Sequence, residues 1–299
     1  MKKQFKEKYK TKEVLTAFSC ISPALFLAIV FVAIPVVSVI VLSFTNWDLL
    51  KGTQNFIGLS NYKYIFQDAK FRKSIVNTLY FSAVKVPLDI VLSLFIATLL
   101  DKKIFAKSFL RASYFVPVIL PMVAASLIWI WIYDPMLGPL NQILGFFGIK
   151  PIRWLYDPKW AMPSIILFSL WKGLGYDIVI FLAGLQSIPE TYSEAARIDG
   201  ASERQVFFKI KLPLLSPVFY FVVMMGIINS FKIFTPISVM TPEGGPMYST
   251  GVMVFYIYEQ AFQRNKMGRG AAASVILFLM ILSLTMVQRK VGRKEVSFE

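Results

Sequence analysis

Long apolar runs alternate with short polar segments along the whole chain. A helix needs about 20 largely apolar residues to cross the hydrocarbon core of a bilayer, and six runs approach or exceed this length. By residue number they are 14–44, 74–100, 112–133, 161–185, 212–234 and 271–288. The pattern therefore predicts an all-α membrane protein with six transmembrane helices.

The first run carries no charge between residues 14 and 47 and lacks a small-residue cleavage site. It is longer than the apolar region of a secretory signal, so we expect a retained membrane helix. Pro23 and Pro35 lie inside it, and proline removes a backbone hydrogen bond and clashes with the preceding turn. We therefore expect this helix to be bent or offset.

Charged residues set the expected orientation, because Lys and Arg concentrate in cytoplasmic loops. Of 32 Lys and Arg, 18 fall in segments 2–12, 102–111, 197–211 and 289–294, whereas 11 fall in segments 51–73, 150–159 and 264–269. This asymmetry predicts that both termini and the loop at 186–213 are cytoplasmic. The net charge of +15 is explained by this topology, so no nucleic-acid partner is expected.

Residue types exclude several kinds of site. The chain has no histidine and one cysteine, Cys20, so it has no His-based metal site, no Ser-His-Asp triad and no intrachain disulfide. Nothing in the sequence brings two carboxylates together as glycoside hydrolysis requires. We expect no metal site, no catalytic residues and no enzyme active site.

The polar segment between the fourth and fifth runs, EAARIDGASERQVFFKIKLP at 194–213, is expected to fold as two short helices. Pro189 suits the first turn of a helix, and Gly200 suits the left-handed residue after its end. Ser202 and Gln205 have the spacing of a capping box that opens a second helix. The segment re-enters the membrane at Pro213.

The first of these helices has only about nine residues, which is too short to be stable alone. One interpretation is a well-capped surface loop that only connects two spans. The other is a docking element, in which the small residues Ala195 and Ala196 allow another surface to approach and Glu194 and Arg197 offer charged contacts.

A combined pattern favours docking. Its residues are Glu194, Ala195, Ala196, Gly200, Ile210, Leu212 and Pro213. This pattern resembles the EAA loop of permease subunits of binding-protein-dependent ABC importers. The segments FIGLSNY (56–62), WKGLGY (171–176), LAGLQSIPE (182–190) and GGP (244–246) are similar to the sugar-permease branch, in particular to the maltose-type first permease.

The resemblance implies a type I ABC importer permease fold in the bacterial inner membrane, with cytoplasmic termini. Its expected partners are membrane lipid, a second permease subunit, two ATPase subunits and an extracytoplasmic solute-binding protein. It also implies that the short helix couples to an ATPase through Glu194, Ala195, Ala196, Asp199 and Gly200. The chain lacks a GxxxxGK[ST] phosphate-binding loop. We therefore expect this chain to bind no cofactor, and the partner ATPase to bind ATP and Mg²⁺.

These expectations divide the chain into four parts. A basic tail occupies 1–13, and the first transmembrane helix with its outside loop occupies 14–73. The permease core of five transmembrane helices spans 74–288 and includes the coupling loop at 186–213. A second cytoplasmic tail occupies 289–299.

Charges within the predicted spans are costly and need partners. Lys85 and Asp89 are four residues apart, so they share a helical face and are expected to pair. The pair either neutralises itself inside the bundle or contributes to the substrate or gating site. Lys172 and Asp177 are five apart and are not expected to face each other.

A sugar site needs aromatic faces beside amides, hydroxyls or charges, and two spans supply that mixture. The fourth span has a glycine-loosened turn, and the fifth has a stripe at helical spacing. The predicted substrate-path residues are Trp171, Gly173, Tyr176, Gly226, Asn229, Ser230 and Ile233. Helix packing is the alternative for each of them, since Gly, Ser and Asn are common between membrane helices.

The sequence thus predicts a permease subunit of an ATP-driven importer for a sugar or oligosaccharide. One alternative is an ion-coupled secondary transporter that uses Lys85 and Asp89. Another is an ABC permease for a non-sugar solute, such as a glycerol phosphate ester.

Overall fold

The computed structural model describes residues 11–48, 50, 52, 54–101 and 107–292, and helices dominate them. In chain order they are α1 (Thr11–Ala28), α2 (Ile34–Leu42), α3 (Ser60–Gln67), α4 (Ala69–Asp101), α5 (Lys107–Ile119), α6 (Met122–Ile132), α7 (Pro139–Phe146), α8 (Ala161–Gln186), α9 (Glu190–Ile198), α10 (Glu203–Val206), α11 (Leu212–Leu214), α12 (Ser216–Phe231), α13 (Thr235–Met240), α14 (Met253–Tyr258) and α15 (Met267–Gly292). The described residues form no β-strand beyond two isolated bridges.

Five helical segments in the described part of the chain are long and apolar enough to cross a membrane. They are Leu15–Leu42, Ala69–Asp101, Ala161–Gln186, Ser216–Met240 and Met267–Lys290. They confirm five of the six predicted spans. The membrane protein is thus all-α in its described residues, as expected.

The third predicted span, 112–133, is not one continuous helix. It divides into α5 and α6, which meet at an angle of 110°. Pro121 stands at the break with extended backbone angles (φ −56°, ψ 135°), and its ring would clash with the carbonyl of Pro117 in an unbroken helix. Six spans are therefore present only if this bent pair counts as one.

Two stretches of π-helix, Ile29–Ala33 and Phe207–Lys211, each end two residues before a proline. Those prolines are Pro35 and Pro213, which lack the N–H of a regular helix and crowd the carbonyl four residues earlier. A π-turn lets the chain accommodate this without a break. The predicted irregularity of the first span therefore lies at Pro35, whereas Pro23 sits within regular helix.

The centre of the bundle is the packing of α8 against α4, with α12 beside both. Two buried apolar clusters fill these contacts. One includes Phe81 and Phe168, and the other includes Ile90, Phe181 and Val222. The segment 15–42 by contrast exposes nearly all its side chains, as a helix facing lipid does.

Gly175 allows α5 and α8 to approach closely. A Cβ placed there would lie 2.1 Å from the carbonyl oxygen of Tyr114 and 2.7 Å from Val118 Cγ2. The helix α8 runs without interruption through Gly173 and Gly175, so the prediction of a glycine-loosened turn was wrong. Gly175 instead provides space for a neighbouring backbone.

We expect Gly175→Ala to lower the free energy of unfolding by about 1–3 kcal/mol, the range for overpacking a filled core. Gly173→Ala is the matched control, because its added methyl would meet nothing nearer than 3.6 Å and both positions are helical. Thermal unfolding of the purified protein in detergent measures both. Equal midpoints for the two variants would contradict the close approach.

The bundle has two distinguishable ends. We call the end bearing residues 187–215 the insert end, where Lys211 Nζ lies 3.0 Å from Asp101 Oδ2 at the end of α4. At the opposite end, Lys70 and Arg264 both bind the Glu259 carboxylate, at 2.8 and 2.7 Å. Ion pairs thus fix both ends of α4.

Both chain ends point toward the insert end. The helix α2 finishes at Leu42 and α15 begins at Met267, and Gly268 packs against the carbonyl of Thr45 at the opposite end. The side of the membrane on which each end lies stays a prediction, as do the four domain bounds. Most of the two predicted tails, at 1–10 and 293–299, lies outside the described residues.

Candidate functional site

The insert, residues 187–215, begins with a short capped helix as the sequence predicts. This helix, α9, has nine residues. Gly200 follows it with φ +83°, and its N–H donates to the carbonyl of Arg197 at 3.0 Å, while that of Ala201 donates to Ala196 at 2.9 Å. These bonds satisfy the free carbonyls at the helix end and reverse the chain.

A capping box opens α10, also as expected. The Ser202 side chain accepts from the backbone N–H of Gln205, and the Gln205 side chain accepts from the N–H of Ser202. Arg197 then joins the two helices by a 2.7 Å bond to Glu203. The hydrogen bond to this carboxylate and its charge raise the pKa of the Arg197 guanidinium.

The helix α9 presents an outward stripe made of Thr191, Ala195 and Ile198. These three residues are exposed, and their spacing of four and three places them on one helical face. Ser193, on the other side, is buried. Ile198 is 86% exposed, so the outward stripe includes one large aliphatic side chain.

The residues predicted for coupling separate into different environments. Glu194 and Ala195 are exposed, Ala196 is half-buried, and Asp199 caps the helix beside Gly200. The other three lead back to the membrane: Ile210 lies in the π-turn, and Leu212 and Pro213 lie in α11. Ala195 and Ala196 therefore do not form one small face, because 100° separates successive residues on a helix.

A cavity of about 480 Å³ opens between α4, α8 and α12. It gathers six of the seven residues predicted for the substrate path, namely Gly173, Tyr176, Gly226, Asn229, Ser230 and Ile233. The rest of the lining is Phe81, Lys85, Met122, Phe168, Ser169, Lys172, Asp177, Met225, Lys232, Phe234, Thr235 and Pro236. Aromatic and polar side chains thus face one space.

Trp171, the seventh predicted residue, does not line this cavity. Its ring packs 5.3 Å from Trp129 and 6.3 Å from Phe168, measured between centroids. The cavity side of α8 is formed by Phe168, Lys172 and Tyr176, four residues apart, and Trp171 lies about 100° away from Lys172. Trp171 therefore packs among aromatic rings and does not face the cavity.

Two predicted residues of α12 also make packing contacts. The Ser230 hydroxyl is buried and hydrogen-bonds the Ser82 hydroxyl of α4 at 2.7 Å. A Cβ on Gly226 would lie 3.3 Å from Val86, so this glycine brings α12 close to α4. The predicted helical stripe ends early, because α12 stops at Phe231 and Ile233 reaches the cavity from non-helical backbone.

Asn229 and Tyr176 have polar groups available to a ligand. Both are exposed in the cavity, Tyr176 by 49%, and neither side chain hydrogen-bonds a described residue. An amide and a phenol beside the rings of Phe81, Phe168 and Phe234 supply the faces and hydrogen bonds that a sugar ring requires.

Charged residues form a cluster at one wall of the cavity. Lys85 pairs with Asp89 as predicted, and the pair lies beneath Gly173, whose added Cβ would be 3.6 Å from Lys85 Nζ. Asp177 of α8 lies close to both partners. The Lys172 ammonium donates to the carbonyl of Val118 at 3.0 Å and forms no ion pair with Asp177, as expected.

Several lining residues were not assigned to the substrate path from the sequence, including Phe81, Phe168, Lys172, Asp177 and Lys232. The three charged ones carried a usable signal, because ionisable side chains within membrane spans are rare and mark functional paths. The two phenylalanines carried none, since the chain has 27 of them.

Comparisons with known proteins give a consistent picture. The profile of the family described as binding-protein-dependent transport system inner membrane component matches residues 89–296. The chain is 39% identical to the probable ABC transporter permease protein PH1215 of Pyrococcus horikoshii over 264 residues, 87% of this chain and 89% of the relative. It is 31% identical to the sn-glycerol-3-phosphate transport system permease protein UgpA of Pectobacterium atrosepticum, over 93% and 94% of the two chains.

Its fold is that of a chain in the crystal structure of a bacterial ABC transporter involved in the import of the acidic polysaccharide alginate. The TM-score is 0.81 at 21% identity, and the match covers 96% of this chain and 97% of the other.

Proposed function

The chain belongs to the family of binding-protein-dependent transport system inner membrane components, and on that premise we propose that it imports a sugar or oligosaccharide. It is a membrane transport component rather than an enzyme, and its place is the inner membrane. The sugar class is the proposed part. Because the chain belongs to this family, we favour ATP-driven import over the ion-coupled secondary transporter considered above.

The cavity between α4, α8 and α12 carries the proposal. Its aromatic rings and the free polar groups of Tyr176 and Asn229 suit a sugar ring, and its volume of about 480 Å³ is within the range of small-ligand sites. The solute crosses the membrane through this space as the bundle alternates between inward and outward openings. A second permease subunit completes the path.

The insert supplies the coupling. Its outward stripe docks on one of two ATPase subunits, which bind ATP and Mg²⁺, because this chain has no phosphate-binding loop of its own. A solute-binding protein delivers the sugar from the other side. When the ATPase surface that holds α9 moves, α9 and the helices attached to it move with it.

A glycerol phosphate ester is the second candidate solute. The relative from Pectobacterium atrosepticum is named for sn-glycerol-3-phosphate transport, and the cavity has cationic side chains. The two candidates share the same path and coupling element, so they differ only in what the solute-binding protein delivers and the cavity accepts.

The complex isolated through a tag on this chain and reconstituted in liposomes tests the proposal. We expect ATP-dependent accumulation of at least one radiolabelled sugar from a panel that also contains glycerol 3-phosphate. Uptake of only the phosphate ester would replace the sugar assignment, and uptake driven by an ion gradient without ATP would overturn the function.

We expect Tyr176→Ala and Asn229→Ala each to reduce this uptake by about tenfold, the effect of removing one good polar or ring contact. Tyr80→Ala is the matched control, because Tyr80 is 46% exposed on α4 and does not line the cavity. Copurification of the partner subunits verifies assembly. Normal uptake by both cavity variants would show that the solute passes elsewhere.

A further inference from the structure

Lysines outnumber carboxylates around the cavity. Lys85, Lys172 and Lys232 line it, against Asp177 alone. Lys85 is already paired with Asp89, and Asp177 lies against that pair. At the α4 and α8 wall one ammonium thus faces two carboxylates, whereas Lys172 and Lys232 have no ion pair with a carboxylate of the described residues.

Lys232 lies where α12 stops. It is the C-cap residue that follows Phe231, the last residue of α12, and the chain is non-helical from there until α13 begins at Thr235. A lysine at a helix C-terminus is favoured by the helix dipole. That interaction does not occupy its ammonium, however, and among the described residues Lys232 Nζ has no hydrogen-bond or ion-pair partner.

Lys172 reaches the same cavity from α8. Its ammonium donates one hydrogen bond, to the carbonyl of Val118 at 3.0 Å, and an ammonium has three N–H groups. Donation to a neutral carbonyl fixes the position of the side chain without neutralising its charge. Lys172 lies within α8, and Lys232 is exposed at the end of α12. Both ammonium groups thus remain able to bind an anion supplied from outside the chain.

We propose that the transported solute bears an anionic group, a carboxylate or a phosphate, that binds between Lys172 and Lys232 while its ring contacts the aromatic side of the cavity. This inference rests on the proposed function and names the solute class for the same site. Charge-assisted hydrogen bonds are about twice as strong as neutral ones, so the two lysines select an acidic sugar over its neutral counterpart.

Equilibrium binding to the detergent-purified complex, without solute-binding protein, tests this selection. The probes are radiolabelled digalacturonate against galactobiose, and glucose 6-phosphate against glucose. We expect at least one acidic member to bind about tenfold more tightly than its neutral partner. The carboxylate pair and the phosphate pair separate the two anion chemistries.

Lys232→Gln and Lys172→Gln are expected to remove most of the preference for the acidic member, measured as the ratio of the two dissociation constants. Lys159→Gln is the matched control, since Lys159 is an exposed loop residue away from the cavity, and thermal unfolding checks that all variants are folded. Equal binding of acidic and neutral members, including no detectable binding of either, would overturn the inference. ATP-driven uptake of a neutral sugar that exceeds uptake of its acidic counterpart would overturn it too, and would leave the proposed function intact.

Discussion

Ile198→Asp is expected to reduce ATP-driven uptake by at least about 100-fold while the subunit still inserts and folds. Ile198 is 86% exposed at the end of the outward stripe of α9, so the change disturbs no contact within the chain. In the proposed coupling the stripe is covered by the ATPase, where an unpaired buried carboxylate would cost about 3 kcal/mol or more. At 1.4 kcal/mol per factor of ten, that cost corresponds to the stated loss.

Ile198→Val is the matched control, because it keeps an aliphatic side chain at the same position and should retain most of the uptake. ATPase copurification with this chain and transport in liposomes are the two measurements. We expect the aspartate variant to lose both. If it transports at the normal rate, α9 is not the docking element and the connecting-loop interpretation of the insert is correct.

Lys85→Met is expected to lower the free energy of unfolding by about 3–5 kcal/mol, the range for breaking a buried ion pair. The side chain of Asp89 is 2% exposed and that of Lys85 is 13% exposed, so water screens the pair little. Without the lysine, Asp89 and Asp177 would remain side by side with no cation, and two adjacent carboxylates repel when both are ionised.

A second substitution tests whether repulsion is the cause. Adding Asp89→Asn to Lys85→Met removes one charge and provides an amide that can donate to Asp177, so it should recover most of the lost stability. Thermal and denaturant unfolding of the four variants in detergent gives the coupling between the positions. Losses that simply add would show that the two side chains act independently.

The same variants address the two roles considered for Lys85 and Asp89. A double variant that regains stability and transports normally assigns the pair to the bundle interior. A double variant that is stable yet inactive assigns it to the cavity, where Lys85 is part of the lining.

The insert was the part most accurately predicted from sequence, because its signals are local. Proline before α9, glycine after it and the Ser202 and Gln205 pair each act within one or two turns, and the structure has all three features. The outward position of Ile198 was not predicted. It depends on which face of α9 packs against the rest of the insert, and the capping residues do not specify that.

The break between α5 and α6 shows where hydropathy is insufficient. The run 112–133 is apolar enough to span a membrane, and a hydropathy window does not register the 110° bend within it. Pro117 and Pro121 were visible in the sequence, but proline is tolerated in many membrane helices. How far a chain bends at such a pair depends on what packs around it.

The cavity was predicted in part for a similar reason. Gly173, Tyr176 and Asn229 were found because their chemistry suits a sugar, whereas Trp171 was included for its chemistry and lies about 100° around the helix from the cavity wall. Lys232 was not assigned to the path, although it lies in the same span as Asn229. Residues from different helices meet only through tertiary packing, which the spacing within one helix does not encode.

An ion pair holds each end of α4 against a neighbouring element. Lys211 holds Asp101 at the insert end, and Lys70, near the first turn, holds Glu259 at the other. Lys85 stands 16 positions before Asp101 on this continuous helix, a distance of about 24 Å at 1.5 Å per residue. One helix therefore links the ion pair at the insert end to the charged wall of the cavity.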